Sequence, residues 1–164
     1  MSIDLLLSPV QPIQITPLLP KVSSVLGELL GLTVSTELSL MQLENGMRIP
    51  SLSGELGMSQ PHVLVIAIAG EEESVLLSAG SDFIGVTAGG LRSNLEFALQ
   101  AAVAIALARE LDAEVWDDRK FFGEQTPTTP EALLQHMKVN ESNDDYHVAA
   151  AKISWGPARA RASS

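Results

Sequence analysis

The stretch Ser93–Leu111 (SNLEFALQAAVAIALAREL) constrains this chain more than any other. From Ala101 to Ala108 it carries no polar side chain. A helix that is apolar all round has to be covered on more than one side, and alanine lets neighbouring backbones come close. Ser93, three residues ahead of Glu96, is the reciprocal capping pattern that satisfies two orphan amides at a helix start. Phe83–Thr87 reads as a strand leading in, and Ala113–Trp116 as one leading out. A β-α-β unit around a buried, Ala-rich helix is therefore expected at the core, with a right-handed crossover if its strands are parallel.

The rest of the chain supplies partners for that unit. Ile3–Leu7 is a short apolar strand closed by Ser8-Pro9, and it is expected at a sheet edge. Prolines 9, 12, 17 and 20 punctuate the segment after it. Val22, Val25, Leu26, Leu29 and Leu30 then mark one face of an amphipathic helix, stopped by Gly31. Thr33–Glu44 reads as a strand, Asn45-Gly46 as a tight hairpin turn and Met47–Leu52 as the return strand. Ser53–Pro61 is a Gly- and Ser-rich loop. Val63–Ala69 (VLVIAIA) is the β-branched run of a strand buried on both faces, and Val75–Ser78 pairs back after an acidic turn. Thr129-Pro130 opens a short helix to Lys138. Tyr146–Trp155 is expected as a last strand, and 158–164 as a basic, disordered tail after one domain spanning 1–157. Strands outnumber helices and most are joined by short turns. The fold class is therefore α+β: a mainly antiparallel sheet with two or three helices packed on it.

Charge bounds the function. A formal net charge of −10 has the wrong sign for a nucleic-acid binder and suits a basic partner. Cysteine is absent, which removes disulfides, thiol nucleophiles and thiolate metal sites and fits a reducing cytoplasm. The first cation is Lys21 and prolines interrupt the N-terminal segment, so no signal peptide is expected. No apolar run approaches the length of about 20 residues that a membrane span needs.

Candidate chemistry is sparse. Gly89-Gly90 and Arg92 lie between a strand and a helix start, where amides and the helix dipole could hold a phosphate or carboxylate, yet the loop lacks the P-loop lysine. Asp117 and Asp118, joined by Asp82, could bind Mg²⁺, although neighbouring strand residues point to opposite faces. Trp116, Phe121 and Phe122 beside them are candidate partner anchors, against the plainer reading that the phenylalanines cover the end of the central helix. Glu71, Glu72 and Glu73 form an acidic turn that either stays solvated or meets a basic partner, and Glu141, Asp144 and Asp145 divide the same way. His62, His136 and His147 have no metal-ligand spacing, so no zinc site is expected; nor is there a nucleophile motif or a cofactor signature.

The succession FALQAAVAIALARELDA, EVWDD and TPEALLQHM, from Leu95 through Trp116 to Met137, resembles small standalone immunity proteins of polymorphic toxins and type VI secretion effectors. The likeness is one of pattern over part of the chain. It implies a cytoplasmic protein that binds a cognate toxin or effector, masks its active site and performs no chemistry of its own. Two other readings stand beside it: a small ligand-binding domain or enzyme using the Gly89-Gly90 loop, and a homodimeric adaptor or structural subunit joined through a sheet edge.

Overall fold

The computed structural model describes residues 3–8, 11–50, 54–57, 63–117, 119–123 and 126–159. In chain order the strands are β1 (Asp4–Ser8), β2 (Ile13–Gln14), β3 (Leu38–Glu44), β4 (Met47–Pro50), β5 (Glu55–Leu56), β6 (Val63–Ile68), β7 (Ser74–Ala79), β8 (Ile84–Ala88) and β9 (Glu114–Trp116). The helices are α1 (Leu19–Leu30), α2 (Asn94–Leu111), α3 (Pro130–Met137) and α4 (Tyr146–Ala150), with a 3₁₀ turn at Thr16–Leu18. The architecture is α+β, as its strand-rich sequence implies.

The helix α2 is the element the others enclose. Every residue from Leu95 to Ala108 is buried, the outcome its apolar sequence demands. Leu99, Val103, Ile105 and Leu107 are wholly removed from water, worth about 1.5–3 kcal/mol each. Gln100, also buried, donates from Nε2 to the carbonyls of Ile3 and Val86 at 2.7 Å each, tying the helix to β1 and β8. A fork from Arg109 to Glu131, 2.7 and 2.8 Å, fastens α3 to its far end.

Seven strands form one antiparallel sheet in the order β4-β3-β6-β7-β8-β1-β9; β2 and β5 pair separately. The expected β-α-β unit is present in split form, because β8 and β9 run parallel with β1 inserted between them. β1 is thus interior, not at an edge. Leu5 and Leu7 are buried on the helix side and Leu6 is half-buried on the other, so the strand has use for neighbours on both flanks. The edges are β4, which carries Arg48 and Pro50, and β9, whose Val115 exchanges two backbone bonds with Thr128.

Other boundaries differ from the sequence pattern for local reasons. Asn45 and Gly46 take φ of 51° and 77°, the left-handed pair of a tight hairpin. The strand before them begins only at Leu38. Ser23 Oγ accepts from the Thr36 amide and donates to its carbonyl, holding that segment to α1 instead. Within the expected loop 53–61, Glu55–Leu56 pairs as β5; 53 and 58–61 lie outside the described residues, as do 51–52 of the expected return strand. The last expected strand is α4, because Asp145 caps it by accepting from the His147 and Val148 amides. Ordered packing also continues to Arg159: the Ala158 amide donates to Lys120, and Arg159 lies against aromatic rings. The remainder of the expected tail, 160–164, lies outside the described residues.

The helices and the β2–β5 pair share one continuous core on one face of the sheet, from Leu5 to Ile153. The other face buries Val65 and Ala67 and leaves Leu6, Met41 and Leu76 half-buried; among the described residues no helix of that core packs on it. Arg48 reaches over it to donate to Ser74 Oγ (2.8 Å), crossing the strands that carry Met41, Val65 and Ala67.

Candidate functional site

Two loops singled out for chemistry fold around carboxylates of the chain itself. Ser93 caps α2 by accepting from the Glu96 amide at 3.1 Å. The Glu96 carboxylate, wholly buried, does not complete the expected reciprocal box. It accepts from Gly90 (2.9 Å), Arg92 (3.0 Å) and, across the sheet end, Ser74 (3.2 Å). The Gly89 amide donates to the Ser74 carbonyl. Gly89 also needs to be glycine, since a Cβ there would fall 2.1 Å from Ser74 Oγ. At the candidate anion site the Gly90 and Arg92 amides already serve an internal carboxylate, and the Gly89 amide a backbone carbonyl. Clefts of 390 Å³ (along α1, at Ser23, Gly27 and Thr33) and 440 Å³ (at Val139–Glu141 and Lys152) lie away from this loop.

Asp117 does the same work after β9. It is 1% exposed, and its carboxylate accepts from Phe121 (3.1 Å), Phe122 (2.8 Å) and Gly123 (3.3 Å). Asp118 lies outside the described residues. Asp82 precedes β8 whereas Asp117 follows the parallel β9, so the two occupy opposite ends of those strands. The Mg²⁺ reading loses its convergence. Phe121 and Phe122 are buried, not surface anchors: with Phe97 and Trp155 they form one aromatic cluster, centroids 4.8–6.3 Å apart, at the start of α2. Arg159 lies 5.2–5.6 Å over three of those rings and donates to Asn94. Burial first, and the positive charge of Arg92 second, push its pKa below the ordinary arginine value.

The acidic turn behaves differently. Glu71, Glu72 and Glu73 join β6 to β7, and the fold brings His147 of α4 beside them, while Glu141 and Asp144 meet Lys152 and Thr33. His147 Nε2 lies 3.2 Å from Glu71 Oε2 and 3.9 Å from Glu73 Oε1. Asp144 accepts from the Thr33 amide (2.9 Å) and hydroxyl, and these bonds hold its carboxyl below the ordinary carboxylate value. Lys152, 2.7 Å from Glu141, lowers that carboxyl likewise. Glu72 stays exposed, whereas Glu73 turns inward to accept from Ser93 Oγ at 3.1 Å. Of the other histidines, His136 faces the Trp155 carbonyl and His62 lies outside the described residues.

Of the remaining candidates, Trp116 lies on the second face of the sheet, where among the described residues no helix of the core packs. Strand register places Trp116 opposite Leu6, which is opposite Gly85, and alternation puts Phe83 on the same side. Trp116 and Phe83 are 38% and 39% exposed, unusual for large aromatics on a sheet that is otherwise well covered. Asp4 and Glu114 share this face, so carboxylates flank the apolar patch, and Asp82 precedes Phe83 in the chain. Sequence reasoning named Asp82 and Trp116 separately and missed Phe83, whose signal was its odd position next to the buried Ile84. Among the described residues no helix is long and apolar enough to cross a membrane. The chain matches no protein-family model, no curated protein and no solved structure.

Proposed function

We propose that this chain is a non-enzymatic binding protein: a cytoplasmic immunity protein that neutralises a basic bacterial toxin by covering its active site. One observation carries the reading. The sheet offers Trp116, Phe83 and Leu6 on the face opposite the helical core, flanked by Asp4 and Glu114, with Asp82 next to Phe83 in the chain. Exposed aromatic anchors within a charged rim are the anatomy of a protein interface. The net charge of −10 selects a basic partner and hastens its approach. The carboxylates best placed for chemistry, Glu96 and Asp117, are occupied by backbone amides, which weighs against a catalytic or anion-binding reading of the same loops.

The test is capture of the partner from the native cell on the immobilised chain, then assay of the partner's own activity. The wild-type chain is expected to inhibit it at equimolar ratio. Trp116→Ala should cost about 2 kcal/mol, or about 30-fold in affinity. Reversing Glu71 and Glu72 to lysine should slow association and flatten its salt dependence. Full activity of the partner in the complex, or unchanged affinity for Trp116→Ala, would defeat the proposal.

A further inference from the structure

We infer that Glu71, Glu73 and His147 form a binding site for a divalent first-row transition metal of the Zn²⁺ kind, which clamps α4 onto the turn between β6 and β7. One ligand atom from each residue lies within 4.8 Å of the other two. Adjacent ligands of a tetrahedral zinc sit about 3.3 Å apart, given metal–ligand distances of about 2.0–2.2 Å. The separation from His147 Nε2 to Glu71 Oε2, 3.2 Å, already matches. The 3.9 Å to Glu73 Oε1, and the 4.8 Å span of the three ligand atoms, close by an inward shift of the exposed His147 and half-buried Glu71 side chains.

A second, independent observation points to a cation. Glu73 is 5% exposed and accepts one neutral hydrogen bond, from Ser93 Oγ, where buried Glu96 and Asp117 each accept three from amides; among the described residues its ion-pair partner is His147, which carries charge only when protonated. A carboxylate withdrawn from water without a permanent counter-charge is costly, and a bound metal supplies that charge. The surroundings are arranged to orient the ligands. Ser93 Oγ donates to Glu73 Oε1, and the Asp145 cap fixes the backbone of His147 in the first turn of its helix. Two carboxylate oxygens with one imidazole, and no thiolate, favour zinc-like ions over Ca²⁺ or Mg²⁺, which prefer all-oxygen shells. Because the ligands come from two distant segments, neither histidine spacing nor the acidic run announces the site in the sequence.

Isothermal titration of the full chain with Zn²⁺, in buffer free of chelators, tests this. Binding with 1:1 stoichiometry and a rise in melting temperature on adding Zn²⁺ are expected, with weaker responses to Mg²⁺ and Ca²⁺. His147→Ala and Glu71→Gln should each weaken Zn²⁺ binding about tenfold or more, while melting without metal stays as in the wild type. His136→Ala and Glu72→Gln should leave the affinity unchanged. No stoichiometric binding, an affinity indifferent to His147→Ala, or an equal loss from Glu72→Gln would overturn the site.

Discussion

Carboxylates at the start of α2 and after β9 have opposite fates from those at the acidic end. Glu96 and Asp117 are buried and each holds three backbone amides, so their charge is spread over fixed dipoles and a loop is shaped around each. Glu71, Glu72 and Glu141 stand toward water and are met, where met at all, by an exposed side chain from another segment. Acids of the first kind build the protein. Acids of the second kind are left for other molecules.

Substitutions can break or sharpen that contrast. Glu96→Ala strips three amides of a charged acceptor at once and should cost about 3–4 kcal/mol in urea denaturation. A loss under about 1 kcal/mol would place Glu96 with the surface acids and erase the distinction. Asp117→Ala should cost about 2–3 kcal/mol. Because its turn positions Phe121 and Phe122 against Phe97, the near-ultraviolet circular dichroism of the aromatic cluster should weaken with it. The smallest effect belongs to the acidic end. Asp144 has its carboxyl pKa lowered by the Thr33 amide and hydroxyl. A carboxyl lowered on folding stabilises the fold above its unfolded value, about 3.9, and loses that contribution as pH falls through the folded value. Asp144→Asn should therefore melt slightly below wild type at neutral pH, with the difference beginning to shrink near about pH 4 and gone once the pH is below the folded value.

Much of this was legible from side-chain pattern. The uniform apolarity of 101–108 announced a fully enclosed helix, and the Asn45-Gly46 pair announced its hairpin. Local pattern says nothing of which strands become neighbours, and that is why β1 reads as an edge strand when it is not one: its two partners are set by the crossover of α2. Capping chemistry also competed with strand propensity. Asp145 turned an apolar stretch after it into α4, and the polar run before it became ordered through the Asp144–Thr33 bonds. At the candidate site, composition flagged acids and aromatics only as types. Only burial could sort Asp117, Phe121 and Phe122 into the interior and leave Trp116 outside.

The placement of β1 has a consequence for how the chain comes together during synthesis. This strand leaves the ribosome well before either of the two that pin it, Leu6 facing Gly85 on one flank and Trp116 on the other. It can pair with β8 as soon as that strand emerges, but its second flank stays open until α2 has followed and swung β9 into reach, so closure of the sheet is a late, long-range event and a slow one. A bulky fusion placed directly ahead of β1 would burden the strand whose open flank β9 must find.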